Sequence, residues 1–216
     1  MSKTFFQIGT NNGNDNFRKK VIDERPSLVI LVEPNSSLVS EIRKNYGGID
    51  NVFIYNNAIY YNNDEDIELY IPSKNGIPGQ VADNGIIYSD AHFSLVPMND
   101  WGNKDDMVKI VTKSITFDEI CRRHSLREID YLQIDTEGFD SEIIKMIDFS
   151  MFRIKKMRFE KWLFDSEKFT NFNPGCCNEL GISGFKIVTD KLKKFNYTLN
   201  EINDDDGNDI IATLNE

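Results

Sequence analysis

The stretch IDTEGFD crowds three carboxylates, Asp135, Glu137 and Asp140, around Gly138. Acids set so close repel one another unless a cation, a hydrogen-bond donor or water separates them. A carboxylate held in that setting can take a proton from a hydroxyl. Part of the pattern has a purely structural use, since Asp140 suits the start of a helix, where the dipole favours an acid. Asp135 is explained poorly that way, because it ends an apolar strand.

Near the start of the chain, FFQIGTNNG ends a strand-like run in Gly9, passes three polar residues and meets Gly13. Glycines there allow either a sharp turn or the close approach of a ligand to bare main chain. Glu33 follows the next apolar run, LVILV, at a point where an acid can grip two ribose hydroxyls. The plain alternative for Glu33 is a neighbour of a helix cap that faces water. The first loop lacks a full G-x-G-x-x-G and holds no basic residue for phosphate. The two features together favour a ligand with a ribose but no pyrophosphate.

These residues need a frame. Apolar runs predict buried strands at Phe5–Ile8, Leu28–Val32, Val52–Tyr55, Tyr131–Ile134, Met157–Phe159, Tyr197–Ile202 and Ile210–Leu214. Helical spacing lies between several of them. Phe17, Val21 and Ile22 share a face ahead of Pro26, and Leu38, Ile42 and Tyr46 share another behind a cap at Asn35 or Ser36. Thr116 and Glu119 form a capping-box pattern, and Phe185, Val188, Leu192 and Phe195 repeat at helical intervals. Strands alternating with helices predict a mostly parallel sheet covered on both faces. The last two strands flank DDDGND with no room for a helix, so they form an antiparallel hairpin turning near Asp206–Gly207. The acid run within that turn lacks the distal carboxylate of a calcium loop, and no metal site is expected.

In such a sheet ligands bind beyond the carboxyl ends of the strands, where strand order reverses. That rule gathers Gly9–Gly13, Glu33–Asn35, Asn56–Ile59, Asp135–Asp140 and Glu160 on one rim. Residues from about 72 to 108 break the alternation and are rich in Gly, Pro, Asn and Asp. An irregular stretch of that length is expected as an insertion near the mouth of the site, within a single domain spanning 1–216.

Composition restricts the partners. A chain of 216 residues with 40% hydrophobic and 12% aromatic content buries a real core. Its net charge of −10 argues against nucleic acid, whose binders neutralise phosphates with a basic stripe. The densest basic cluster, Arg153 to Lys156, is short. No apolar run is long enough to cross a bilayer, and nothing resembles a signal peptide. Three cysteines, Cys121, Cys176 and Cys177, show no metal-ligand spacing and read as reduced thiols of a cytoplasmic protein.

The segments FFQIGTNNG, LVEPN, NNAIY, SITFDEI and above all YLQIDTEGFDSEII resemble the FkbM family of S-adenosylmethionine-dependent methyltransferases. The resemblance covers roughly Phe5 to Glu160. It implies the class I methyltransferase fold, a Rossmann-like three-layer α/β sandwich whose mostly parallel seven-stranded sheet ends in an antiparallel hairpin. It implies S-adenosyl-L-methionine as cofactor. Gln7, Gly9, Asn11, Asn12 and Gly13 would hold its methionine half, Glu33 with Pro34 its ribose, and Asn57 and Ala58 its adenine. Asp135 would lie near the ammonium and the reactive methyl.

Two departures stand out. Gln7 occupies a place commonly held by an acid, which weakens the expected grip on the ammonium. The chain also starts at its first strand, without the leading helix that often covers the cofactor. The insertion, a second subunit of a homo-oligomer or an open pocket is expected to take that place.

Transfer to a hydroxyl calls for a base, and Asp135, Glu137, Glu160 and His92 are the candidates, His92 lying in the insertion. His124, in the polar CRRHS, reads as a surface residue. Trp101, Trp162 and Phe164 could stack on a sugar or simply pack. The expected reaction is O-methylation of a small-molecule, sugar or glycan hydroxyl. An NAD(P)-dependent oxidoreductase and a non-catalytic methyltransferase-like module are the rival readings.

Overall fold

A computed structural model describes residues 2–71, 73–74, 77–78, 94–95, 107–161, 182–204 and 207–216. In chain order the first half runs β1 (Thr4–Ile8), α1 (Asn16–Glu24), β2 (Leu28–Val32), α2 (Val39–Asn45), β3 (Val52–Tyr55), β4 (Ala58–Ile59) and β5 (Asp66–Ile71). Two short strands follow, β6 (Ser73–Lys74) and β7 (Ile77–Pro78), then β8 (Val108–Ile115), α3 (Phe117–Arg123), β9 (Glu128–Ile129) and β10 (Tyr131–Ile134). The chain continues with α4 (Asp140–Met146), β11 (Arg153–Ile154), β12 (Lys156–Glu160), α5 (Ile182–Lys194), β13 (Tyr197–Asp204) and β14 (Gly207–Leu214).

The main sheet has seven strands in the order β13-β14-β12-β10-β1-β2-β3. Strands β12, β10, β1, β2 and β3 are parallel, and β14 lies antiparallel to both β12 and β13. All seven correspond to the apolar runs predicted above, and the terminal hairpin pairs Asp204 with Gly207 as its spacing requires. Sequence order reverses on either side of β1, which opens the rim between β1 and β10.

Alternation along each strand sends side chains to two apolar layers. Phe6, Ile8, Leu132, Ile134, Met157 and Phe159 meet Phe117, Ile120, Ile143, Val188 and Leu192 from α3, α4 and α5. On the opposite face Phe5, Val29, Leu31 and Tyr131 meet Phe17 and Val21 of α1 and Ile42 of α2. Each such side chain, fully buried, contributes about 1.5–3 kcal/mol over an exposed one.

Local signals set the helix ends. Asp15 Oδ1 accepts from Arg18 N at 2.9 Å and starts α1. Arg25 then takes a left-handed conformation (φ 48°) and returns its N–H to Val21 O, just before Pro26. Thr116 Oγ1 accepts from Glu119 N at 3.1 Å to start α3. The reciprocal half of that capping box does not form, because the Glu119 carboxylate is taken by Arg122 and Arg123.

Three further local expectations need correction. Ile22 is 45% exposed and lies off the buried stripe, since Val21 alone fills the turn after Phe17. Neither Asn35 nor Ser36 caps α2 directly; Asn35 Oδ1 instead accepts from Ser37 N and Oγ, shaping the turn ahead of the helix. His124 is not a bare surface residue: it hydrogen-bonds the Tyr55 hydroxyl at 2.9 Å and meets Phe53 edge-on.

A second, three-stranded sheet, β4-β8-β5, stands beside the rim. Strand β5 pairs antiparallel with β8 from Asp66↔Lys113 to Ile71↔Val108. Leu38, Ala58, Ile67, Leu69 and Ile71 form its own small core. Among the described residues no helix is long and apolar enough to cross a membrane.

Candidate active site

Gly9 closes β1 by turning the chain away from the sheet at φ 80°. A Cβ on it would stand 1.6 Å from the Asp135 carbonyl oxygen, so the loops after β1 and β10 touch main chain to main chain. Asn11, itself left-handed at φ 53°, directs its N–H to Glu33 Oε2 at 2.7 Å. The other Glu33 oxygen accepts from Asn35 N at 2.8 Å. One carboxylate thereby joins the loops that follow β1 and β2. Burial pushes the Glu33 carboxyl up to about 8, against the lowering effect of the Asn35 and Asn11 amides. Asn56 Nδ2 reaches the main-chain oxygens of Glu33 and Pro34 and draws the loop after β3 alongside.

The acid-rich loop after β10 is fixed from below. Asp140 Oδ1 accepts from Thr136 N at 2.9 Å and from the Thr136 hydroxyl, and Asp140 Oδ2 accepts from Glu160 N at 3.2 Å. Asp140 therefore secures the turn, in keeping with its structural reading. The turn itself is strained, with Glu137 left-handed at φ 52° ahead of Gly138 at φ 113°. Ser94 holds it from above: its Oγ donates to Glu137 O at 2.6 Å, while its main chain bridges Tyr70 on β5 in both directions. Burial, then Asp140, lifts the Glu137 carboxyl to about 7. Burial, then the charges of Glu137, Asp140, Asp209 and Asp15, holds Asp135 well above the ordinary carboxylate range.

These loops enclose a cleft of about 630 Å³, counting its open mouth. Gly9, Asn11, Glu33, Pro34, Asn57, Ala58, Asp135 and Glu137 all line it. That size is ordinary for a small-molecule site. Among the described residues, the three acids on the wall are accompanied by no lysine, arginine or histidine.

The profile of the methyltransferase FkbM domain matches residues 7–199. The chain belongs to the FkbM methyltransferase family. Its cofactor is S-adenosyl-L-methionine, and its fold is that of the class I methyltransferases. Two solved structures resemble it over almost its whole length. TrmK of M. capricolum, solved with the natural cofactor product S-adenosylhomocysteine, is 13% identical with a TM-score of 0.47; the match covers 100% of this chain and 63% of that one. Fibrillarin, a pre-rRNA processing protein of Methanococcus jannaschii, is 10% identical with a TM-score of 0.46 and coverages of 99% and 66%. This chain thus spans under two thirds of either. None of the curated proteins compared with it matches.

The cleft suits the family's cofactor: it joins the Gly9 main chain, a buried acid at Glu33 and a wall that, among the described residues, is acidic without a basic group, as a cationic sulfonium requires. Four residues expected at the FkbM site stand off that wall. Gly13 backs against Tyr46, 3.0 Å from where its Cβ would be, and serves the turn. Asn12 works inside the loop, its side chain accepting from Asn14 N and its carbonyl from Asn45 Nδ2. Gln7 is buried below the loop beside Asp15. Glu160 is half-buried at the end of β12. His92, Trp101, Trp162, Phe164, Cys176 and Cys177 lie outside the described residues, while Cys121 is a buried free thiol.

Sequence reasoning missed Leu69, Ser94, Leu95 and Phe139, which complete the wall. Ile67, Leu69 and Ile71 alternate with polar Glu68 in a strand-like way, and that signal would have revealed β5. Nothing comparable marks Ser94.

Proposed function

We propose that the protein moves the methyl group of S-adenosyl-L-methionine to a hydroxyl of a neutral sugar or glycan. What supports this reading best is the meeting in one cleft of a ribose-type acid, Glu33, with the paired acids Asp135 and Glu137, and no basic group among the described residues. The bound cofactor supplies an electrophilic methyl on a good leaving group. The chain is left to align the acceptor and to accept its proton.

Glu33 with Pro34 would take the ribose, Asn57 and Ala58 the adenine, and Gly9 and Asn11 the amino-acid side. Glu137 is the residue suited to act as base. A carboxyl lifted to about 7 divides between its two forms at neutral pH and can both accept and release a proton. Asp135, beside it, is held well above the ordinary carboxylate range by burial and by its acidic neighbours, Glu137 first. An acidic wall on a chain of net charge −10 favours uncharged acceptors over phosphorylated ones and over nucleic acid or anionic membrane.

Two measurements test the reading. S-adenosylhomocysteine should raise the melting temperature and NAD should not; stabilisation by NAD alone would overturn it. On a panel of neutral glycans, Glu137→Gln should lower kcat by roughly 100-fold or more, the usual weight of a general base, with S-adenosylhomocysteine affinity retained. Full turnover in that variant would remove Glu137 from the chemistry.

A further inference from the structure

Three aromatic rings beside the acid-rich turn have no part in the scheme above. Phe139, two residues past Glu137, stands on the cleft wall. Tyr60 stacks on it, with ring centres 5.9 Å apart and planes inclined by 17°. Tyr61 meets both rings edge-on, its centre 4.9 Å from that of Tyr60 and 6.2 Å from that of Phe139. Phe139 is buried, Tyr60 half-buried and Tyr61 43% exposed. The rings therefore form one path from the cleft wall to the surface.

A single exposed tyrosine needs no explanation. This one is held firmly. Its hydroxyl donates to Glu142, a buried carboxylate of α4 that also pairs with Lys145. Two ring contacts and that bond orient Tyr61 before any ligand arrives, so little side-chain freedom is left to lose on binding. An exposed polar bend, Asn62 to Asp66, follows directly. Its amides and carboxylates can bond hydroxyls. Asp64 and Glu65 oppose an anionic ligand, while Asp66 already pairs with Lys113 at 2.7 Å. One ring also supplies little of the apolar core that a protein interface needs. An aromatic face with a polar rim matches a sugar, whose C–H face packs on the ring while its hydroxyls reach the rim.

We propose that Tyr61 is an outer subsite of the acceptor site, on which the second sugar of a neutral glycan stacks while the first presents its hydroxyl to Glu137. This rests on a neutral glycan as acceptor, and it adds that the acceptor is a chain of at least two units. Glu137 and Phe139 share one turn, so the inner and outer subsites are tied to the same rigid element.

Binding of neutral oligosaccharides of one to four units tests this, first on an array and then in solution with S-adenosylhomocysteine present. The wild type should bind its preferred sugar about tenfold more tightly as a chain of two or more units than as a single unit, the usual weight of a well-placed aromatic contact. Tyr61→Leu, which keeps bulk against Phe139 but no flat face, should abolish that preference, and Tyr61→Phe should keep it. Both variants lose the bond to Glu142, so the difference between them belongs to the ring. S-adenosylhomocysteine affinity, read at the Glu33 end of the cleft, should be the same in all three proteins. A length preference that survives Tyr61→Leu would overturn the proposal. A dimer that dissolves in Tyr61→Leu would give the ring to a second copy of the chain and overturn it as well. If the wild type binds single sugars and chains equally, the outer subsite falls while the reading beneath it stands; if it binds no neutral glycan, both fall.

Discussion

At the scale of single residues, Gly9 and Glu33 carry the site in different ways. Gly9 is irreplaceable for its emptiness. Gly9→Ala puts a methyl group into the Asp135 carbonyl at a positive φ, and it should cost upwards of about 3 kcal/mol, lowering the melting temperature by roughly 10 °C. Gly48→Ala is the matched control, since φ is 88° there with nothing within 4 Å; about 1 kcal/mol is expected. Glu33 acts through its charge. Its folded carboxyl titrates near 8 and the free one near 4.5, so folding takes up a proton between those values. Stability contributed by the protonated form is whole below about pH 4.5 and is lost as pH climbs toward 8. Glu33→Gln should flatten that part of the melting-temperature profile. It should also weaken S-adenosylhomocysteine binding by about 1–3 kcal/mol, because one amide N–H₂ must then face a main-chain N–H. The sequence made both residues legible through their places after apolar runs. It could not reveal that Gly13, of the same residue type, serves Tyr46 and not the cleft, since that depends on where α2 comes to lie.

At the scale of elements, every strand of the main sheet was readable, β1, β2, β3 and β10 as short, nearly continuous apolar runs and β12 and β13 through their alternation, each bounded by polar turns. The second sheet was not. Strand β8 alternates one exposed side chain with one covered one, with Val111 63% exposed, and its partner β5 follows an Asn- and Asp-rich bend. That alternation is the mark of a half-covered strand, but it is weak in side chains as mixed as Lys109, Thr112 and Lys113. This sheet and Ser94 nonetheless supply much of one wall of the cleft. Helix α4 is equally dependent on a neighbour. It has seven residues, and its end is finished by Lys191 of α5, whose Nζ donates to the carbonyls of Ile144, Lys145 and Ile147. Lys191→Met should cost about 1–2 kcal/mol by leaving those oxygens without their cation, measurable in urea denaturation. Because Asp140 opens the same helix and holds Thr136, binding of S-adenosylhomocysteine should weaken alongside.

At the scale of the whole molecule, surface charge and sheet order bear on partners and assembly. An excess of ten negative charges should keep the protein from retarding transfer RNA in a gel at physiological salt, even at micromolar concentration. Clear retardation would point to a phosphate-bearing acceptor and away from neutral glycans. The Glu33 clamp has a wider meaning. It links the crossover from β1 to β2 with the crossover from β2 to β3, so ligand recognition cannot mature until three strands have aligned. Amide hydrogen exchange at Asn11 and Asn35 should therefore slow in step with global folding and quicken together when Glu33 is replaced. The architecture thus makes competence for the adenosyl group a late event, a checkpoint that a half-assembled sheet has no means of passing.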